Sequence, residues 1–177
     1  MSHTLRIAVV SVSLLLPSPS LRAQSPITLA DVKAFEGTWA LDVAQSAGAS
    51  PEQRVIATSA TWIRVETHRQ GDDRPPVLIY KFDGSTNVNP YGPDTATSRL
   101  RREGQNLVTE TEFTIHGQSL TVNEVLHVND DGSEMTVETT LRVEHGYEGV
   151  RPALETGAPN VSKATNVFRR ESPQEPR

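Results

Sequence analysis

The chain of 177 residues has no cysteine. That excludes disulfide stapling, thiol catalysis, thiolate metal sites and a lipid-modified N-terminal cysteine, so the fold must be held by packing and ladder hydrogen bonds. Aromatics are few, two Trp, three Tyr and four Phe, and each is therefore a strong marker of core or site. An excess of basic charge is missing too: the net charge is −5, which argues against nucleic acid or an anionic membrane surface as partner. No apolar run reaches the roughly twenty residues that a membrane-spanning helix needs. No Gly-x-Ser-x-Gly elbow, phosphate loop, internal repeat or heptad pattern is present. His68, His116, His127 and His145 lack the close spacing of a compact metal site, so neither metal nor cofactor is expected.

What is present begins with a segment that reads as a secretory signal. Arg6 supplies a basic n-region, Ile7 to Leu16 a short apolar stretch and Pro17 to Ala23 a turn-prone end with a small residue. Cutting near Ala23 places the mature protein in the periplasm or outside the cell, with a domain spanning residues 24–170 and a frayed charged tail at 171–177. About 154 residues remain, enough for one core. Ala30 to Phe35 suggests a short helical turn. Strand-like runs follow at Thr38 to Val43, Val55 to Thr67, Val77 to Asp83, Ala96 to Arg102, Leu107 to Ile115, Leu120 to Val128, Met135 to Val143 and Lys163 to Arg170. Ser85 to Thr95 and Glu144 to Ser162 read as loops. The expected fold class is all-β, a single antiparallel up-and-down barrel of about eight strands.

Turn chemistry sets the expected registers. A two-residue Gly117-Gln118 turn pairs Phe113 with Val122, Thr111 with Glu124 and Thr109 with Leu126, all on the apolar side. Val128 opposite Met135 puts Glu124 beside Thr139, and a Gly104-Gln105 turn puts Ser98 beside Thr111. Ser98, Thr111, Glu124 and Thr139 then form one polar row inside an apolar face that includes Phe113 and Leu126. A slip of two residues breaks the row and keeps every side chain on its face. A carboxylate on an inner face needs a partner. Glu124 either orients a ligand, pairs with a basic group such as Arg102 or Lys81, or serves as a general acid or base.

Phe35 to Ser46, Phe-Glu-Gly-Thr-Trp-Ala-Leu-Asp-Val-Ala-Gln-Ser, resembles the opening of lipocalin-like (calycin) barrels. It is most similar to uncharacterised exported bacterial proteins that begin Gly-Thr-Trp-x-Leu-Asp-x-Ala-x-Ser. The resemblance implies that Trp39 packs across the closed barrel end under an arginine of the last strand, Arg169 or Arg170. It also implies non-covalent binding of a small apolar or amphipathic molecule, and the registers make Ser98, Thr111, Glu124, Thr139, Phe113 and Leu126 the ligand-facing residues. Two rivals stand beside it: an enzyme with Glu124 as acid or base, assisted by Thr111, Ser98 or Tyr80, and a filled barrel that serves as an interaction domain through its two long loops.

Overall fold

The computed structural model describes residues 26–46, 50–115, 118–143 and 160–172. A four-residue helix α1 (Leu29–Val32) and a 3-10 turn (Lys33–Phe35) precede ten strands. These are β1 (Gly37–Leu41), β2 (Glu52–Thr58), β3 (Trp62–Arg69), β4 (Val77–Lys81), β5 (Asn87–Tyr91), β6 (Asp94–Glu103), β7 (Asn106–Ile115), β8 (Gln118–Val128), β9 (Glu134–Val143) and β10 (Asn160–Arg170). The sheet runs β4-β3-β2-β1-β10-β9-β8-β7-β6-β5 and is antiparallel throughout. β4 and β5 lie side by side at its two ends, so the sheet curls into a nearly closed up-and-down barrel.

Ten strands replace the expected eight for two local reasons. The run Val55 to Thr67 is two strands joined at Ser59-Ala60-Thr61. The Ser59 hydroxyl accepts from the backbone N–H groups of Thr61 and Trp62, and Ser59 N–H bonds the Trp62 carbonyl, so the reversal needs no Gly or Pro. The second addition is β5, inside the Ser85 to Thr95 stretch expected to be a loop. It ends the sheet, where Pro90 is tolerated because its missing N–H faces no ladder.

The closed end is built as the motif implies. Trp39 is fully buried, and its indole Nε1–H donates to the Phe35 carbonyl at 2.8 Å. Its partner on β10 is Arg170, whose guanidinium lies 4.1 Å from the Trp39 ring centroid. Arg170 also donates to the carbonyls of Ala34, Glu36 and Gly132, tying the N-terminal turn to the β8–β9 hairpin. Gly37 is required here twice over: its φ is +135°, and a Cβ would stand 2.6 Å from Arg170 Nη1. Arg169 is on the other face, where it pairs with Asp42 and Glu134. Ile27, Val32 and Phe35 complete the plug, and Arg102 reaches from β6 to Asp31 of α1.

Registers decide what meets inside. The β6–β7 and β8–β9 pairings are as expected, with Ser98 opposite Thr111 and Glu124 opposite Thr139. The β7–β8 pairing is slipped by two: Thr109 faces Glu124 and Thr111 faces Val122. The row Ser98-Thr111-Glu124-Thr139 is therefore split into Ser98-Thr111-Val122-Leu141 and Leu100-Thr109-Glu124-Thr139. An even slip leaves every side chain on its face. This register also matches Leu107 with Leu126 and Phe113 with Leu120.

Candidate functional site

Alternation along β2 turns Glu52, Arg54 and Ile56 to the interior, opposite Arg69, Thr67 and Val65 of β3. From β8, Glu124 comes across the barrel to meet them. Arg54 Nη2 and Nη1 donate to Glu124 Oε1 and Oε2 at 2.9 and 3.2 Å, a two-pronged pair, and Arg54 Nε donates to Glu52 Oε1 at 2.8 Å. Arg69 at the mouth donates to Glu52 Oε2 at 2.9 Å. Four charges of alternating sign thus run from the rim to the centre, Arg69, Glu52, Arg54, Glu124. The Arg54 guanidinium also lies 4.9 Å from the Phe168 ring centroid.

Electrostatics follow from this chain of charges. Burial opposes the Arg54 cation, but Glu124 and then Glu52 outweigh it and hold the guanidinium above its ordinary pKa. Burial pushes the Glu52 carboxyl up; Arg54 and then Arg69 pull it down, leaving it below the usual value. Tyr80, inward from β4, is pushed up to about 12 by burial and then by the negative Glu124. Its hydroxyl shares a 3.0 Å hydrogen bond with Thr111 Oγ1. Thr109 lies next to it, and its own Oγ1, 4% exposed, makes no hydrogen bond of good geometry.

Arg54, Arg69, Tyr80, Thr111 and Glu124 line a cavity of about 170 Å³ that also touches β3, β4 and β5. Its apolar walls include Val65, Leu78 and Val122, with Tyr91 and Phe113 in ring contact at 4.6 Å between centroids. Of the residues expected to face a ligand, Thr111, Glu124 and Phe113 line this space. Leu126 is buried in the core deeper down. Thr139 lies opposite Glu124 on β9. Ser98 is buried at the seam between the sheet's ends, where its Oγ donates to the Ile79 carbonyl at 2.8 Å. Beside it, Asn89 Oδ1 accepts from Ile79 N–H at 2.9 Å and Nδ2 donates to Ser98 Oγ at 2.7 Å. Side chains thus close the barrel where no backbone ladder does.

The basic partner of Glu124 is neither Arg102, which binds Asp31 and the Gly104 carbonyl, nor Lys81, which lies on the outer face opposite Trp62. It is Arg54, just outside the strand as read from the sequence. The signal was available: Glu52 and Arg54 share parity with Ile56, so extending the alternation upstream from Val55 to Glu52 brings both inside. Among the described residues no cluster of His, Asp and Glu has the arrangement of a metal site. His127 is exposed and hydrogen-bonded to Asn106, and His68 pairs with Glu66. His116 and His145 lie outside the described residues.

No family model matches the chain. No curated protein matches it in sequence. Solved structures do match in shape. A secretory abundant heat soluble protein of Ramazzottius varieornatus aligns at 10% identity, covering 78% of this chain and 96% of that one, with a TM-score of 0.53. A Schistosoma mansoni fatty acid binding protein in complex with arachidonic acid aligns at 13% identity over 80% and 99% of the two chains, TM-score 0.46. Human cRBP IV aligns at 13% identity over 77% and 98%, TM-score 0.41. At these identities the likeness is one of architecture alone, an antiparallel up-and-down barrel of ten strands.

Proposed function

We propose that this chain is an exported barrel protein that binds one small, mostly apolar molecule in its interior. The observation that carries this reading is the cavity of about 170 Å³, walled by Val65, Leu78, Tyr91, Phe113 and Val122 on its apolar side and by Arg54, Glu124, Tyr80 and Thr111 on its polar side. A filled barrel would leave no such space, and few polar groups among apolar walls are what a small-molecule site needs. The space is close to that of an apolar cavity of about 150 Å³ that holds benzene, so the ligand, or its inserted part, is about one ring in size.

Acid–base chemistry fits the same geometry poorly. Both Glu124 oxygens are engaged by the Arg54 fork. Tyr80 keeps its proton until about pH 12, so it acts as a donor and not as a base. Export rests on the signal-like residues 1–23 and on the resemblance of Phe35 to Ser46 to the opening of exported bacterial proteins. No described helix is long and apolar enough to cross a membrane. Native mass spectrometry of the protein purified from its own host tests the reading: a co-purifying small molecule, released on unfolding, is expected. An apo mass in every preparation, with no uptake of added ring compounds, would remove it. N-terminal sequencing of that material should begin near Gln24.

A further inference from the structure

The proposed site holds an arginine at its centre, yet its charge is already spent. We infer that the barrel selects uncharged ligands carrying one acceptor group, a carbonyl, amide or hydroxyl, and that Glu124 is the residue that turns carboxylates away. The inference rests on the binding reading above and narrows it to a ligand class.

Three observations carry it. First, the charged groups at the cavity cancel: Arg69 and Arg54 are matched by Glu52 and Glu124, with no cation left over among the described residues. An incoming carboxylate meets Arg54 only by displacing Glu124, or else lies beside a like charge in a poorly solvated space. Second, the cation is held from every side that matters. Its two Nη groups face Glu124, its Nε faces Glu52, and Phe168 covers its plane.

Third, the hydroxyl group beside the charges has protons to give. Tyr80, Thr109 and Thr111 bring three O–H groups to one place on β4 and β7. At the cavity wall Tyr80 and Thr111 share a single hydrogen bond, and the buried Thr109 Oγ1 beside Tyr80 makes none of good geometry. A ligand acceptor atom in the cavity meets the Tyr80–Thr111 pair, which uses only one of its two protons on itself. The hydroxyls would serve a carboxylate as readily as an amide, so discrimination falls to Glu124.

The test uses 4-ethylbenzamide and 4-ethylbenzoate, nearly isosteric one-ring probes that differ in charge. Each is titrated into the full chain while backbone and side-chain NMR signals of Thr109, Thr111, Tyr80 and Phe113 are followed. The wild type should bind the amide at least tenfold more tightly, with shifts centred on those residues. Glu124→Gln, which keeps the shape and removes the charge, should shift the benzoate-to-amide affinity ratio tenfold or more toward benzoate. The same spectra report whether the variant folds; if it does not, the wild-type ratio alone decides. Equal or tighter benzoate binding in the wild-type cavity overturns the charge filter and leaves the carrier reading standing. Binding of neither probe, or shifts confined to other surfaces, overturns the carrier reading and the filter with it.

Discussion

Replacing one member of the Arg54–Glu124 pair should cost far more than replacing both. Their side chains are 7% and 16% exposed, so the pair is close to the buried limit, where removing one partner costs about 3–5 kcal/mol because the other is left uncompensated. The two single variants are not equivalent. Glu124→Leu leaves Arg54 with Glu52, whereas Arg54→Met removes the guanidinium from both carboxylates and from Phe168. Arg54→Met should therefore stand at the upper end of that range and Glu124→Leu at the lower. The double variant replaces the pair with apolar side chains, leaves Glu52 with Arg69, and should fall within about 1–2 kcal/mol of wild type, on either side. Urea denaturation of all four proteins gives the interaction energy as the departure from additivity, expected at about 6 kcal/mol from these figures. Additive single losses, with an interaction energy under about 0.5 kcal/mol, would refute the account of this pair as the organising contact of the interior.

Three other outcomes are expected. Trp39→Ala should cost about 3–5 kcal/mol in chemical denaturation, since it empties the closed end and removes the ring under Arg170. Alkaline pH should weaken the fold through Tyr80. Its folded-state pKa, about 12, lies above the ordinary 10.0, so the stabilisation is complete below pH 10 and is lost as pH rises toward 12, about 3 kcal/mol in all. Denaturation midpoints in that window should fall less steeply for Tyr80→Phe than for wild type. Asn89→Leu should cost about 2–3 kcal/mol, because a buried N–H of Ile79 loses its acceptor, and hydrogen exchange should quicken at Ile79 before it does at Ile63.

The parts of this fold that were legible in the sequence are those governed by local chemistry. Phe35 to Trp39 marked the closed end. The alternation at Leu107 to Ile115, Leu120 to Val128 and Met135 to Val143 marked which residues turn inward, and that assignment survived even where the β7–β8 register moved. Pairing two strands is a weaker inference than facing them, because moving a turn by one residue shifts the pairing by two and leaves every side chain on its face. Strand β5 was hidden because Asn87, Asn89 and Pro90 carry the composition of a loop, and their fitness for a strand depends on lying at the end of the sheet. Ser59-Ala60-Thr61 was hidden because a hydroxyl makes that turn, without Gly or Pro. The site suffered most from long range. Glu124 is 70 residues from Arg54, and nothing local to either residue names the other.

The seam between β4 and β5 bears on self-association. Nine strand pairings are made by backbone groups, which every residue except proline supplies, but the tenth contact is made by Asn89 and Ser98, which only those side chains supply. Whether the sheet is a cylinder or an open trough is thus decided at two positions. A trough exposes two raw strand edges at once, the situation that invites pairing between copies. β5 carries Pro90 and β4 ends on Lys81, both poor surfaces for such pairing, so the latch and the edge residues guard the same risk at successive stages. A chain that loses Asn89 would be expected to test its second line of defence, forming chain-to-chain sheets only when Pro90 or Lys81 is replaced as well.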